Sequence, residues 1–178
     1  MTSISPNQII DEIVSKLPGV VPKSSWGETS LFYNPGNVLP NGVYFCTIKD
    51  HDGENDAASN LNRDNVFRLA IGLNQKTYFK LFGQKPPRPP KGGVVETGHE
   101  FDQLNELMPH PIYAWMCWAQ ILSPTSEKFS SVFHIIEEAH QAAVQKFTKK
   151  TANNAFNTDA GKAGAGKCKR SAVLRSLL

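Results

Sequence analysis

Phe129, Val132, Phe133, Ile136, Ala139, Ala143, Val144 and Phe147 recur at three- and four-residue spacing and draw one apolar stripe along a helix. Ser123-Pro124 offers an N-cap and a proline start, so the spacing predicts a helix over about 124–147. At 1.5 Å per residue that helix would run roughly 36 Å. A stripe of that reach must be buried against something equally long, and a small sheet is its natural partner. After Phe147 the apolar period stops.

The preceding residues supply such a sheet. Ser5-Pro6 starts a helix whose Ile9, Ile10, Ile13, Val14 and Leu17 share a face, and Leu17-Pro18-Gly19 ends it. Thr29–Tyr33 and Val43–Lys49 read as strands, paired as a hairpin across the turn residues Asn34-Pro35-Gly36-Asn37 and Leu39-Pro40-Asn41-Gly42. Val66–Ile71 is a third strand, with Phe67, Leu69 and Ile71 on one face and Arg68 on the other. Asn74 caps a short helix that Gly83 closes after Phe82. Lys85-Pro86-Pro87-Arg88-Pro89-Pro90-Lys91 reads as an exposed, partly polyproline II loop. A turn of helix is expected near Phe101–Leu107, a stiff corner at Met108-Pro109-His110-Pro111, and the longest strand over Ile112–Leu122. The order predicts an α+β domain over residues 5–147: an antiparallel sheet with the N-terminal and long C-terminal helices packed on it.

The net charge of +3 is unevenly spread. Residues 148–178 hold seven basic groups and one acid, leaving 12 basic and 15 acidic groups in residues 1–147. The basic character therefore belongs to a Gly/Ala/Lys-rich tail, expected to be disordered, and not to the fold. Within the tail, Gly161-Lys162-Ala163-Gly164-Ala165-Gly166-Lys167-Cys168 has P-loop glycine spacing. It has Cys where the Mg²⁺-binding hydroxyl belongs, and no buried strand before it, so it is read as flexible chain. Cys46, Cys117 and Cys168 lack metal spacing, and no basic, apolar leader precedes Ser5. Together these predict a reducing, cytoplasmic setting with no membrane span, and no cofactor motif is present.

Three groups of residues are candidates for a site. Asp50, Asp52, Glu54 and Asp56 put four carboxylates within seven residues straight after a strand. Such crowding calls for solvent, a cation or basic partners such as Lys49, Arg63 or Arg68. His51, His99 and His110 sit in loops, where a shared acid–base or metal site or three separate structural roles are both open. Trp26, Tyr33, Tyr44, Tyr113, Trp115 and Trp118 are expected chiefly as core. No nucleophile motif accompanies a cysteine or serine.

Gly53-Glu54-Asn55-Asp56, Phe67-Arg68-Leu69 with Gly72, Lys91-Gly92-Gly93-Val94-Val95 with Gly98-His99, and Met108-Pro109-His110-Pro111 resemble the characteristic stretches of an uncharacterised bacterial-type domain-of-unknown-function family. More distantly, Leu17-Pro18-Gly19-Val20, Val43-Tyr44-Phe45, Val66–Leu69, His110–Trp115 and Glu138–Val144 resemble the MmcQ/YjbR-like proteins. That second resemblance implies a YjbR-like sheet and a DNA-binding surface, with the 50–64 and 83–100 loops as insertions. The residues together predict a non-enzymatic binding domain in which Arg68, His99 and His110 face an anionic ligand or protein partner opposite Asp52, Glu54 and Asp56. Two alternatives stay open. One is a nucleic-acid binder with a weak contribution from the basic tail, and the other a metal-assisted enzyme using the acidic loop and a histidine.

Overall fold

The computed structural model describes residues 3–164. Residues Met1–Phe147 form one compact unit, and of the second, which begins at Thr148, the described part is α-helix. The elements are α1 (Pro6–Lys16), β1 (Val20–Ser25), β2 (Glu28–Tyr33), β3 (Val43–Lys49), β4 (Arg68–Gly72), α2 (Gln75–Phe82), β5 (Leu107–Pro109), β6 (Trp118–Leu122) and α3 (Ser126–Gly164). The six strands make one antiparallel sheet in the order β1-β2-β3-β4-β6-β5. This is the expected α+β arrangement.

The caps follow the chain's local chemistry. Ser5 and Gln8 close a reciprocal capping box on α1, with Pro6 at the first helical position. Asn74 accepts from the Thr77 N–H at the start of α2, and Gly83 closes it at φ 77°. The start of α3 corrects the expectation of a Ser123 cap: Thr125 Oγ1 accepts from the Lys128 N–H, and Ser123 takes φ 39° in the turn before it. The helix also outlasts its apolar stripe, continuing from Phe147 to Gly164. The tail expectation for residues 165–178, including the end of the P-loop-like stretch and Cys168, lies outside the described residues.

The register separates the two faces of the sheet. Ile48, Leu69, Ile121 and Leu107 lie across from one another on one face, with Cys46, Ile71, Ala119 and Pro109 in the next row. These join Ile9 and Ile13 of α1 and Phe129, Ile136 and Ala143 of α3 in the main core. On α3, His140 donates its Nε2–H to the Pro18 carbonyl at 2.9 Å and lies between the rings of Tyr33 and Phe45. A bulge in β3 makes this possible. Leu31 pairs with Cys46 and Phe32 with Tyr44, so Phe45 is the extra residue, turned to the helical side while Tyr44 remains on the other.

Two further expectations are corrected, and one strand is added to those expected. Val20–Ser25 is a strand, hairpin-paired to β2 through Trp26 and Gly27, both at positive φ. Phe101–Leu107 forms turns, and Leu107–Pro109 is the short edge strand β5. Ile112–Leu122 is not one strand: Ala114–Met116 is a 3-10 turn, and Cys117 sits at φ 64° before β6 begins. The run of aromatic and apolar residues looked strand-like, but the backbone N–H groups of Ile112 and Tyr113 both donate to His110 Nδ1, which bends the chain. Among the described residues no helix is long and apolar enough to cross a membrane.

Candidate functional site: a buried polar cluster beneath the acidic loop

The face away from the helices carries Lys49, Arg68 and Leu122 side by side on β3, β4 and β6, with Thr47, Ala70 and Gln120 in the next row. Lys49 and Arg68 are thus like charges directly across from one another, an arrangement that is destabilising unless an anion joins them. Asp56 is that anion. Its carboxylate takes both ends of the Arg68 guanidinium, at 2.8 and 2.5 Å, and the Lys49 ammonium at 3.1 Å. The paired backbone hydrogen bonds between Gly53 and Asp56 make the tight turn that delivers it. Lys49 Nζ lies 3.0 Å from where a Cβ on Gly53 would be, so glycine lets the turn close over the ammonium without pressing on it.

The rest of the loop is stitched to the same face. Ser59 donates to Gln120 Oε1 at 2.9 Å, both residues being fully buried, and Gln120 Nε2 donates to the Phe101 carbonyl. Leu61 and Val66 pack on Leu122 as a small apolar cluster. Arg63 donates to the carbonyls of Asn60 and Asp102, tying the 50–66 loop to the 100–105 turn.

The electrostatics follow from this packing. Burial pushes the Asp56 carboxyl upward, but the Arg68 and Lys49 cations override it and hold the group well below the usual carboxylate range. His110 is 2% exposed, and burial followed by the charges of Arg68 and Lys49 keeps it far below its ordinary value despite the opposing pull of Asp56. It is therefore neutral at pH 7. With Nδ1 accepting from two backbone N–H groups, its proton sits on Nε2. One donor in the cluster is unmatched: Arg68 Nε is buried with no acceptor.

Of the residues expected at a site, Arg68 and Asp56 bond directly, together with Lys49, Ser59 and Gln120, and His110 is buried within reach of their charges. Asp52 serves the loop itself, accepting from the Leu61 N–H while its own N–H donates to Asn62 Oδ1. Glu54 is exposed. His99 is exposed too, with Thr97 Oγ1 at 3.0 Å and the Phe82 ring edge-on at 6.4 Å. His51 pairs with Asp50 at 2.9 Å and packs on the backbone of Gly27. The three loop histidines thus keep different company. Among the described residues no three His, Cys, Asp or Glu side chains gather as a metal site.

Ser59 and Gln120 were the missed members, whereas Lys49 takes the place expected of it as a basic partner of the acidic loop, directly across the ladder from Arg68. Nothing in their local sequence singles out Ser59 or Gln120.

The aromatic expectation also needs correction. Tyr33 packs on His140 and Phe147, but Trp26 is 95% exposed at its hairpin tip, and Tyr44 and Tyr113 are close to half exposed. Phe32, Tyr44 and Trp118 form a row on the sheet, with centroids 5.8 and 5.4 Å apart and the indole of Trp118 lying over Gly72. A bulge residue and an uncovered sheet end put these rings outside, which composition does not reveal.

No curated protein and no solved structure matches the chain. The likeness to MmcQ/YjbR-like proteins stays an expectation from element order. Residues 4–152 match the sequence model of DUF6194, a family of unknown function, and the chain belongs to that family.

Proposed function

We propose that the chain is a non-catalytic binding module for a small anion, recognised where Lys49, Arg68 and His110 meet beneath the 53–56 turn. The observation that carries this reading is the buried Nε–H of Arg68, left without an acceptor in a cluster holding two cations and one carboxylate. A buried donor left unmatched costs about 1–3 kcal/mol. An oxyanion would supply the acceptor and balance the surplus charge. Lys49 would contribute its ammonium, and His110 a neutral Nε2–H. Asp56 holds the cations in place, and Asp52 holds the loop.

Thermal unfolding in phosphate, sulfate and acetate, each against chloride at equal ionic strength, tests this. Binding to the folded state raises Tm with the logarithm of anion concentration. The rise is expected for at least one oxyanion and is lost in Lys49→Met. A Tm indifferent to all three, or a rise that survives Lys49→Met, would overturn the reading and leave a water molecule as the natural filler of the site.

A second reading rests on a different observation. The Phe32–Tyr44–Trp118 row, with the Lys23 ammonium 5.3 Å from the Phe32 ring centre, is the kind of surface on which single-stranded bases stack. It agrees with the nucleic-acid binding that the YjbR-like resemblance implies. An oligonucleotide titration followed by tryptophan fluorescence would show salt-sensitive quenching that Tyr44→Ala removes. Unchanged fluorescence at low salt would exclude it.

A further inference from the structure

We infer that residues 85–91 are a displayed polyproline II ligand, built to enter an aromatic-lined groove with acidic margins on a partner protein domain. The backbone follows from the sequence. Pro86, Pro87, Pro89 and Pro90 each have φ fixed near −65°, and Lys85, Pro86, Arg88 and Pro89 each precede a proline, which excludes the helical region. No helix or strand forms over 85–90. A polyproline II segment has three edges, because its residues repeat every third position.

The exposure pattern has that period. Pro86 and Pro89 are half-buried, while Lys85, Pro87, Arg88, Pro90 and Lys91 are exposed. One edge therefore lies on the body of the protein, and the other two face outward. The outward edges present Pro87-Arg88 and Pro90-Lys91, two proline–cation pairs three residues apart. At about 3.1 Å per residue the pairs recur roughly every 9 Å. Grooves that read proline-rich segments take proline pairs between aromatic rings in this way, and carboxylates at the groove's margin suit the adjacent basic side chains.

The segment is also held in place, which lowers the entropy lost on docking. At its start the Gly83 N–H bonds to the Phe79 carbonyl. At its end the Gly93 N–H bonds to the Pro90 carbonyl, and buried Val95 bonds to Pro111. Between them the Arg88 guanidinium lies 4.8 Å from the centre of the Trp115 ring. A loop kept only as a linker would need neither the three-residue edge pattern nor this anchoring.

The test uses the full chain, 15N-labelled, titrated in turn with a panel of purified SH3 and WW domains and with a single-stranded and a duplex oligonucleotide. At least one domain is expected to shift the amides of Lys85, Arg88, Lys91 and Gly92 and the Trp115 indole. Pro87→Ala with Pro90→Ala is expected to weaken that binding at least tenfold, with the fold intact and Tm lowered only by the added freedom of the unfolded chain. Lys91→Glu is expected to weaken it less. A panel that produces no shift, shifts confined to other surfaces, or full affinity in the double variant would each overturn the inference. So would shifts of the same amides by an oligonucleotide alone, which would assign the basic edge to nucleic acid. The anion site beneath the 53–56 turn plays no part in this outcome.

Discussion

The sheet face away from the helices has two ends, and the same strands treat them in opposite ways. At one end Lys49, Arg68 and Leu122 are covered by the 50–66 loop and bound by a buried ion pair. At the other, Phe32, Tyr44 and Trp118 lie open, with Tyr44 49% exposed. The difference teaches which side chains oblige a chain to cover them. Two cations facing each other across a ladder cannot be left half-desolvated, so a long connection folds back to bring a carboxylate. Aromatic rings on a sheet can pack on one another and stay exposed at little cost. The sealed end is thus a structural commitment of the sequence, and the open end a surface left free.

Breaking the sealed end should give the largest effect. Arg68→Met leaves Asp56 with Lys49 alone and is expected to destabilise the fold by about 3–5 kcal/mol, the usual cost of removing one partner of a buried pair. Chemical denaturation measures it. Combining Arg68→Met with Asp56→Leu should recover part of the loss, since an apolar pair of similar volume often substitutes without penalty while Lys49 is left without its carboxylate. Recovered stability together with a lost oxyanion effect on Tm would mean that the charges are kept for binding. If the double variant stays as unstable as the single, the pin itself is what the fold requires.

Acid should open the same end. His110 has a folded value well below its unfolded one near 6.5, so the unfolded chain binds more protons as pH falls through that range. The contribution is fully present above about pH 6.5 and declines below it. Asp56, also lowered, adds a second loss that begins as pH falls past about 4. His110→Asn keeps an acceptor for the Ile112 and Tyr113 N–H groups but cannot titrate. Stability measured between pH 7 and 5 should slope for the native chain and be flatter for the variant. Equal slopes would place the responsible proton elsewhere.

Much of this contrast could be read before the fold was known, and some could not. The stripe ending at Phe147, the Asn74 and Gly83 caps and the alternation in β4 are local patterns, and local patterns survive folding because each has its own physical cause. The pairing of Asp56 with Arg68 and Lys49 was legible as chemistry, since crowded acids need cations. Register then determined which cation met which acid. Val20–Ser25 and Leu107–Pro109 escaped because proline, lysine and serine weaken their strand signal while pairing with β2 and β6 enforces it. The turn at Ile112–Cys117 escaped because His110 organises it through a side chain, with no glycine or proline after Pro111 to announce it.

A subtler cut within the sealed end is Ser59→Ala. Ser59 donates to Gln120 Oε1, and the truncation leaves that oxygen buried without its partner. The expected loss is about 1–3 kcal/mol. Amide hydrogen exchange should localise it, with faster exchange over 57–66 and unchanged protection in β1 and β2. Uniformly faster exchange across the sheet would mean that the loop and strands unfold as one unit.

The open end should respond least. Tyr44 lies between Phe32 and Trp118, and Tyr44→Ser removes both ring contacts while leaving the β3 backbone paired. Aromatic pairs contribute about 0.5–1.5 kcal/mol beyond the area they bury. Half of the tyrosine is already in water, so the loss should fall near the lower end, about 1 kcal/mol in total. A loss as large as that of Arg68→Met would mean that the row supports the bulge that turns Phe45 into the helical core, and that the two ends are not independent. A small loss, with the oxyanion response of Lys49 intact, fits a face whose ends are separately disposable, one closed by charge and the other available to a partner.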